Sequence, residues 1–125
     1  MPALLQASLL VALGSAVGGV ARYLLTVAVA ACCASAFPWA TLAINVCGSA
    51  AIGACMPLLG KDTPGNQFVV IGVLGGFTTF SAFSWQVLDL VHQQRTGAAA
   101  AYVAASLVLC LAGVAAGWWL VQAAR

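Results

Sequence analysis

Charge is what this sequence lacks. Only 5% of its 125 residues are charged, where soluble globular domains carry about 25%. The ions are Arg22, Lys61, Asp62, Asp89, Arg95 and Arg125, too few to build a water-facing surface. With 64% hydrophobic residues and a mean hydropathy of +1.09, the chain reads as an integral membrane protein without a soluble domain. A net charge of +2, scattered along the chain, gives no basic patch and excludes nucleic acid as a partner. Carboxylates are missing from the apolar interior: Asp62 falls in a polar loop and Asp89 near the end of an apolar segment. A proton-coupled cation exporter needs an acid inside the membrane to take up and release protons. Cysteine is present but unpatterned. Cys47, Cys55 and Cys110 lie in apolar runs and Cys32 and Cys33 sit together at a segment end, with neither CxxC nor Cys/His zinc spacing. They read as small hydrophobes and plain thiols. No set of residues suggests a covalent step, so the chain is not expected to be an enzyme.

Four apolar segments are present, at about 4–31, 39–59, 67–91 and 98–121. Each exceeds the ~20 residues that cross ~30 Å of hydrocarbon. Backbone groups in lipid must be paired within the segment, so the expected fold is all-α: four transmembrane helices in a single membrane domain, 1–125. Pro38, "GKDTPGN" (Gly60 to Asn66) and "HQQRTG" (His92 to Gly97) mark the turns. The first segment has no basic n-region and stays apolar to Ala31, which predicts a retained helix rather than a signal peptide. Four spans put both termini on one side. Lys61 and Arg125 then face one side of the membrane, Arg22 and Arg95 the other. A bias this small gives almost no orientation signal, which predicts dual topology and an antiparallel dimer. "GSAVG" (Gly14 to Gly18) and "GVAAG" (Gly113 to Gly117) have the spacing that lets helices approach closely, and packing within one subunit is their expected use.

Polar groups in a membrane segment are expensive and raise a functional question by default. Arg22 is one. Thr41 and Asn45 are four apart in "TLAIN" and share a helix face, as do Tyr102 and Ser106 in the last segment. The densest set is "GGFTTFSAFSW", Gly75 to Trp85. Glycine costs ~1 kcal/mol against alanine inside a helix, and threonine is stiff at χ1. The third helix is therefore expected to break at its centre. Irregular backbone at that depth is tolerated only where it is buried in protein or lines a cavity, and freed carbonyls suit a cation. Phe80 and Phe83 are three apart, and the positive edges of their rings can face an anion. Each group also has a plainer use: phenylalanine as packing, hydroxyls bonded back to carbonyls, Asn45 as interhelical glue and Arg22 snorkelling. Taken together, a donor-rich path free of carboxylates suits an anion.

These residues resemble the small fluoride-specific channels called Fluc or CrcB. "GGVARY" (Gly18 to Tyr23), "TLAINVCGSAAIG" (Thr41 to Gly53) and "GVLGGFTTFSAFS" (Gly72 to Ser84) are similar to three motifs of that family, in order, over nearly the whole chain. The resemblance implies a channel that lets fluoride leave the cytoplasm of a bacterium passively across its inner membrane and protects against fluoride toxicity. It implies an antiparallel, dual-topology homodimer with two pores. By the same resemblance Phe80, Phe83 and Asn45 face the ion, and Thr41, Thr79, Ser81, Tyr102 and Ser106 line its route. The carbonyls of Gly75 and Thr78 would bind a structural Na+ at the dimer interface, and Arg22 would stand by the vestibule. Gln86 departs from the pattern, since many members have glutamate there; Cys110 stands where some have serine, and Trp39-Ala40 replaces the usual glycine before threonine. Two alternatives remain: a four-helix multidrug-type exporter, which would need a carboxylate that the first segment lacks, and a non-transporting membrane assembly subunit.

Overall fold

A computed structural model describes the whole chain, Met1–Arg125. It contains helices and no strands. Four spans are long and apolar enough to cross a membrane: Pro2–Cys32, Trp39–Leu59, Asn66–His92 and Thr96–Ala123. The first opens with Pro2 in its first turn, where the missing N–H has no intrahelical partner to lose. The first span has 31 residues, and at ~1.5 Å rise per residue it outreaches ~30 Å of hydrocarbon. It must tilt or project beyond the lipid. The second span carries Pro57 in its last turn. There the chain end reaches back, and Arg125 Nη2 donates to the Pro57 carbonyl at 2.7 Å, a cation on a helix C-terminus.

The third span is irregular. Residues Asn66–Leu74 are wound wide, and the Gly75 N–H reaches back five residues to the Val70 carbonyl. One α-helical turn follows, Gly75–Phe77. Thr78 (φ −77°, ψ 158°) and Thr79 (φ −152°, ψ 117°) are extended. The helix then restarts at Phe80 and runs to His92. Two extended residues at mid-span remove backbone partners at the depth where water cannot replace them, so other groups must satisfy them.

The spans pack as two pairs. The first lies along the Asn66–Phe77 half of the third, and the second lies along the fourth. Burial in lipid gains little from the hydrophobic effect, so close van der Waals contact has to hold such pairs. Glycine supplies it. A Cβ on Gly14 would stand 2.9 Å from Gly72 Cα, and one on Gly18 would stand 2.8 Å from the Phe77 backbone nitrogen and run into the Val73 carbonyl. In the other pair, a Cβ on Gly117 would run into the Ala50 carbonyl, and one on Gly53 into that of Val114. Both small-residue motifs therefore have a use inside the chain. The Phe80–His92 half crosses to the fourth span, and the core cluster of Leu42, Phe83, Leu90, Ala99 and Tyr102 forms there. Leu4, Leu24, Phe80, Leu111 and Trp119 stay largely exposed, as side chains facing lipid or another chain would.

Candidate functional site

The site begins with the backbone freed at the break. Thr79 donates its N–H to Asn45 Oδ1 at 2.8 Å, and its carbonyl accepts from Asn45 Nδ2 at 3.0 Å. One side-chain amide thus replaces both helical partners of one peptide residue, across 34 positions of sequence. Asn45 Nδ2 carries two hydrogens, so one remains to donate. The Thr79 side chain caps the restarted helix by accepting from the Ala82 N–H at 3.2 Å, and its hydroxyl lies 3.3 Å from that of Ser81. Thr78 turns its hydroxyl back onto the Leu74 carbonyl at 3.0 Å. The Thr78 carbonyl itself accepts no hydrogen bond.

Thr79→Val removes the cap and the link to Ser81. Loss of such a cap costs about 1 kcal/mol. Thermal unfolding in detergent should show the valine variant destabilised by that order and Thr79→Ser close to the parent.

Above the break is a cavity of ≈ 400 Å³ lined by the second, third and fourth spans. Asn45, Thr79, Phe80, Phe83 and Ser106 all reach it. Its wall is otherwise mainly apolar, so the few polar atoms set what it can hold. The Ser106 hydroxyl is buried and has no hydrogen-bond partner, on a residue only 7% exposed. A buried, unpaired hydroxyl costs free energy unless something fills its place. The restarted helix, Phe80–His92, brings its N-terminal turn to the break, where unpaired N–H groups and the helix dipole favour negative charge. The Phe80 and Phe83 rings meet at 5.4 Å with an interplanar angle of 40°, yet they occupy different surroundings. Phe83 is 9% exposed and belongs to the core; Phe80 is 75% exposed and turns away from its own chain.

One turn from the cavity lies a second polar group of side chains. Tyr102 precedes Ser106 by one turn, and Thr41 precedes Asn45 by one turn. Tyr102 is fully buried and stacks on Phe83 at 5.1 Å. Between Tyr102 and Thr41 stands Gln86. It accepts from the Tyr102 hydroxyl at 2.8 Å and donates from Nε2 to the Thr41 hydroxyl at 2.9 Å. The Phe83 ring is shared by this triad and the cavity, since it lines the cavity and stacks on Tyr102.

The expected site residues thus fall into places of unequal kind. Asn45, Thr79, Phe80, Phe83 and Ser106 share the cavity, together with Gly75 and Thr78 of the break. Thr41 and Tyr102 are joined through Gln86 and do not line the cavity. Ser81 is joined to the site through Thr79. Arg22 stands apart, half-buried on a span that contributes nothing to the cavity lining. Gln86 was missing from the expected set. Its signal was a polar side chain three residues past Phe83 and seven past Thr79, on the same helix face.

Residues 9–118 match the family described as CrcB-like protein, Camphor Resistance (CrcB). The chain belongs to the CrcB family. It is 47% identical over 120 residues to a protein of Rhodospirillum centenum named fluoride-specific ion channel FluC, covering 93% of this chain and 95% of that one. It is 48% identical over 111 residues to the FluC of Paramagnetospirillum magneticum, covering 84% and 87%, and 45% identical over 121 residues to that of Geobacter sulfurreducens, covering 94% and 95%. The matched region of this CrcB family member spans all the cavity and triad residues, and its apolar helices make it a multi-pass membrane protein.

Proposed function

We propose that the protein is a fluoride-selective channel that lets the ion leave a bacterial cytoplasm passively across the inner membrane and so protects against fluoride. The observation that carries this reading is the mid-span cavity, where the Ser106 hydroxyl has no partner and the Asn45 amide keeps one N–H to spare. Both are donors, and no carboxylate stands with them. Fluoride is small and strongly hydrated, so a pore has to replace its water with closely placed donors, and binding must stay weak enough for the ion to leave. The ring edges of Phe80 and Phe83 add positive potential without adding water. In this reading Thr41, Thr79, Ser81 and Tyr102 continue the route and Arg22 flanks a vestibule. No acid is present on the first span, which weighs against the exporter alternative. A packing subunit would have no use for an unpaired Ser106 hydroxyl.

Two copies in opposite orientations complete the unit, each dimer holding two pores. The exposed Phe80 ring and the near-even basic residues on the two faces support that assembly. Tags on either face should report equal populations in the membrane; a single orientation would contradict it. The break fits a hard cation. The Thr78 carbonyl has no donor, and the side of Gly75 is open, with no atom nearer than 3.8 Å to a Cβ built there. The Gly75 and Thr78 carbonyls would hold Na+, and the bound ion would neutralise backbone oxygens that face no donor. Replacing sodium by N-methylglucamine during purification should lower both the dimer fraction and fluoride flux. Undiminished flux after exhaustive sodium removal would contradict a structural ion.

Phe80→Ile with Phe83→Ile separates a pore from a packing protein. The double variant should remain dimeric and lose most fluoride efflux from liposomes. An unchanged rate would remove the rings from the ion's route.

A further inference from the structure

Toward the face that carries both termini, the cavity runs on into a second one of ≈ 480 Å³. The two share Ile52 on the second span and Leu111 on the fourth. The lining changes abruptly at this point. Before it stand the polar side chains of Asn45, Ser49 and Ser106 and the thiol of Cys110. Past it, the second span has no hydroxyl, amide or charge from Ala50 to Leu59, and the fourth has none from Leu111 to Val121. The side-chain donors that line the second cavity are the indole N–H groups of Trp118 and Trp119. They come seven and eight residues after Leu111, about 10 Å farther along a helix. On the opposite side of the first cavity, polar side chains carry on through Gln86, Thr41 and Tyr102.

We propose that Ile52 and Leu111 form an apolar neck, which fluoride crosses without donors and which sets its rate of passage at the termini side. The proposal rests on the channel reading and adds to it the step that limits the rate. An ion that gives up its water in the first cavity is compensated there by the Ser106 hydroxyl and the spare Asn45 N–H. At the neck no side-chain donor is at hand, and a bare charge among apolar groups is costly. Hydrophobic constrictions hold ions back in this way, by losing their water. Fluoride holds its water more strongly than chloride does, so the neck slows fluoride passage without supplying the selectivity, which stays with the donors of the first cavity.

The test is fluoride current through planar lipid bilayers for the parent, Ile52→Val, Ile52→Thr, Leu111→Val and Leu111→Thr. All are checked for an intact dimer by size-exclusion chromatography. Valine and threonine share a shape, so each pair differs by one hydroxyl. Each threonine variant should carry at least about tenfold more fluoride current than its valine counterpart, the effect of one hydrogen bond to a charged group, and the valine variants should stay near the parent. Leu111 is 70% exposed on its own chain, so the second pair leaves the core untouched and decides the matter if the Ile52 variants fail to assemble. The proposal is overturned if threonine and valine variants conduct alike. At the parental rate, that would mean the neck is not limiting; at a raised rate, it would mean that width rather than dehydration limits passage. A parent that carries no fluoride current would instead remove the channel reading.

Discussion

Asn45→Asp is expected to bring fluoride efflux down to the level of protein-free liposomes. The substitution hardly changes shape, but it replaces the Nδ2 donor with an oxygen. The Thr79 carbonyl, which accepts from Nδ2 at 3.0 Å, would then face an acceptor, while the Thr79 N–H would keep its bond to the other oxygen. The anion would also meet a carboxylate in the cavity that Asn45 lines. Asn45→Ala separates these effects. It adds no charge, yet it strands both backbone groups of Thr79 where water cannot reach them, at about 1–3 kcal/mol for each unpaired group. Each 1.4 kcal/mol is about a factor of ten in an equilibrium, so the alanine variant should unfold markedly earlier in detergent and conduct little. Parental flux in Asn45→Asp would show that the amide neither braces the break nor borders the ion's route.

The second large effect concerns the neighbouring glycines at 18 and 19. Gly18→Ala should destabilise the fold by about 1–3 kcal/mol, the usual cost of overpacking, and Gly18→Val by more. A Cβ there runs into the Val73 carbonyl and comes within 2.8 Å of the Phe77 nitrogen, and neither backbone atom can step aside as a side chain would. Phe77 is the last helical residue before the extended pair, so the disturbance passes straight to the break and flux should fall with stability. Gly19→Ala should be neutral or gain up to about 1 kcal/mol from helix propensity, since a Cβ there has no atom within 4 Å. Denaturant unfolding of the two alanine variants side by side decides it. Equal stabilities would mean that the first span does not seat on the third as described.

The four spans were legible in the sequence because lipid imposes a single rule, which apolar runs of sufficient length obey. The family was legible through three ordered motifs. The partners were not. "TLAIN" shows that Asn45 and Thr41 share a face, but not that the Asn45 amide spends one donor and one acceptor on a backbone residue 34 positions away. That pairing exists only once the extended Thr78–Thr79 segment lies against the second span. Gln86 drew notice as a departure from a pattern; its role as the bridge between Thr41 and Tyr102 depends on three helices meeting. Spacing put Phe80 and Phe83 near one another without showing that one ring is core and the other is exposed. The wide winding of Asn66–Leu74 has no distinct sequence signal, since its residues are those of any apolar helix.

The central claim is selective passage of fluoride, and anion efflux from liposomes of the purified protein tests it most directly. Fluoride and chloride would be loaded together in sodium buffer and followed with ion-selective electrodes. The expected result is rapid loss of fluoride with chloride retained, abolished by Asn45→Asp. Retention of both anions by an intact dimer, or their release at equal rates, would contradict it.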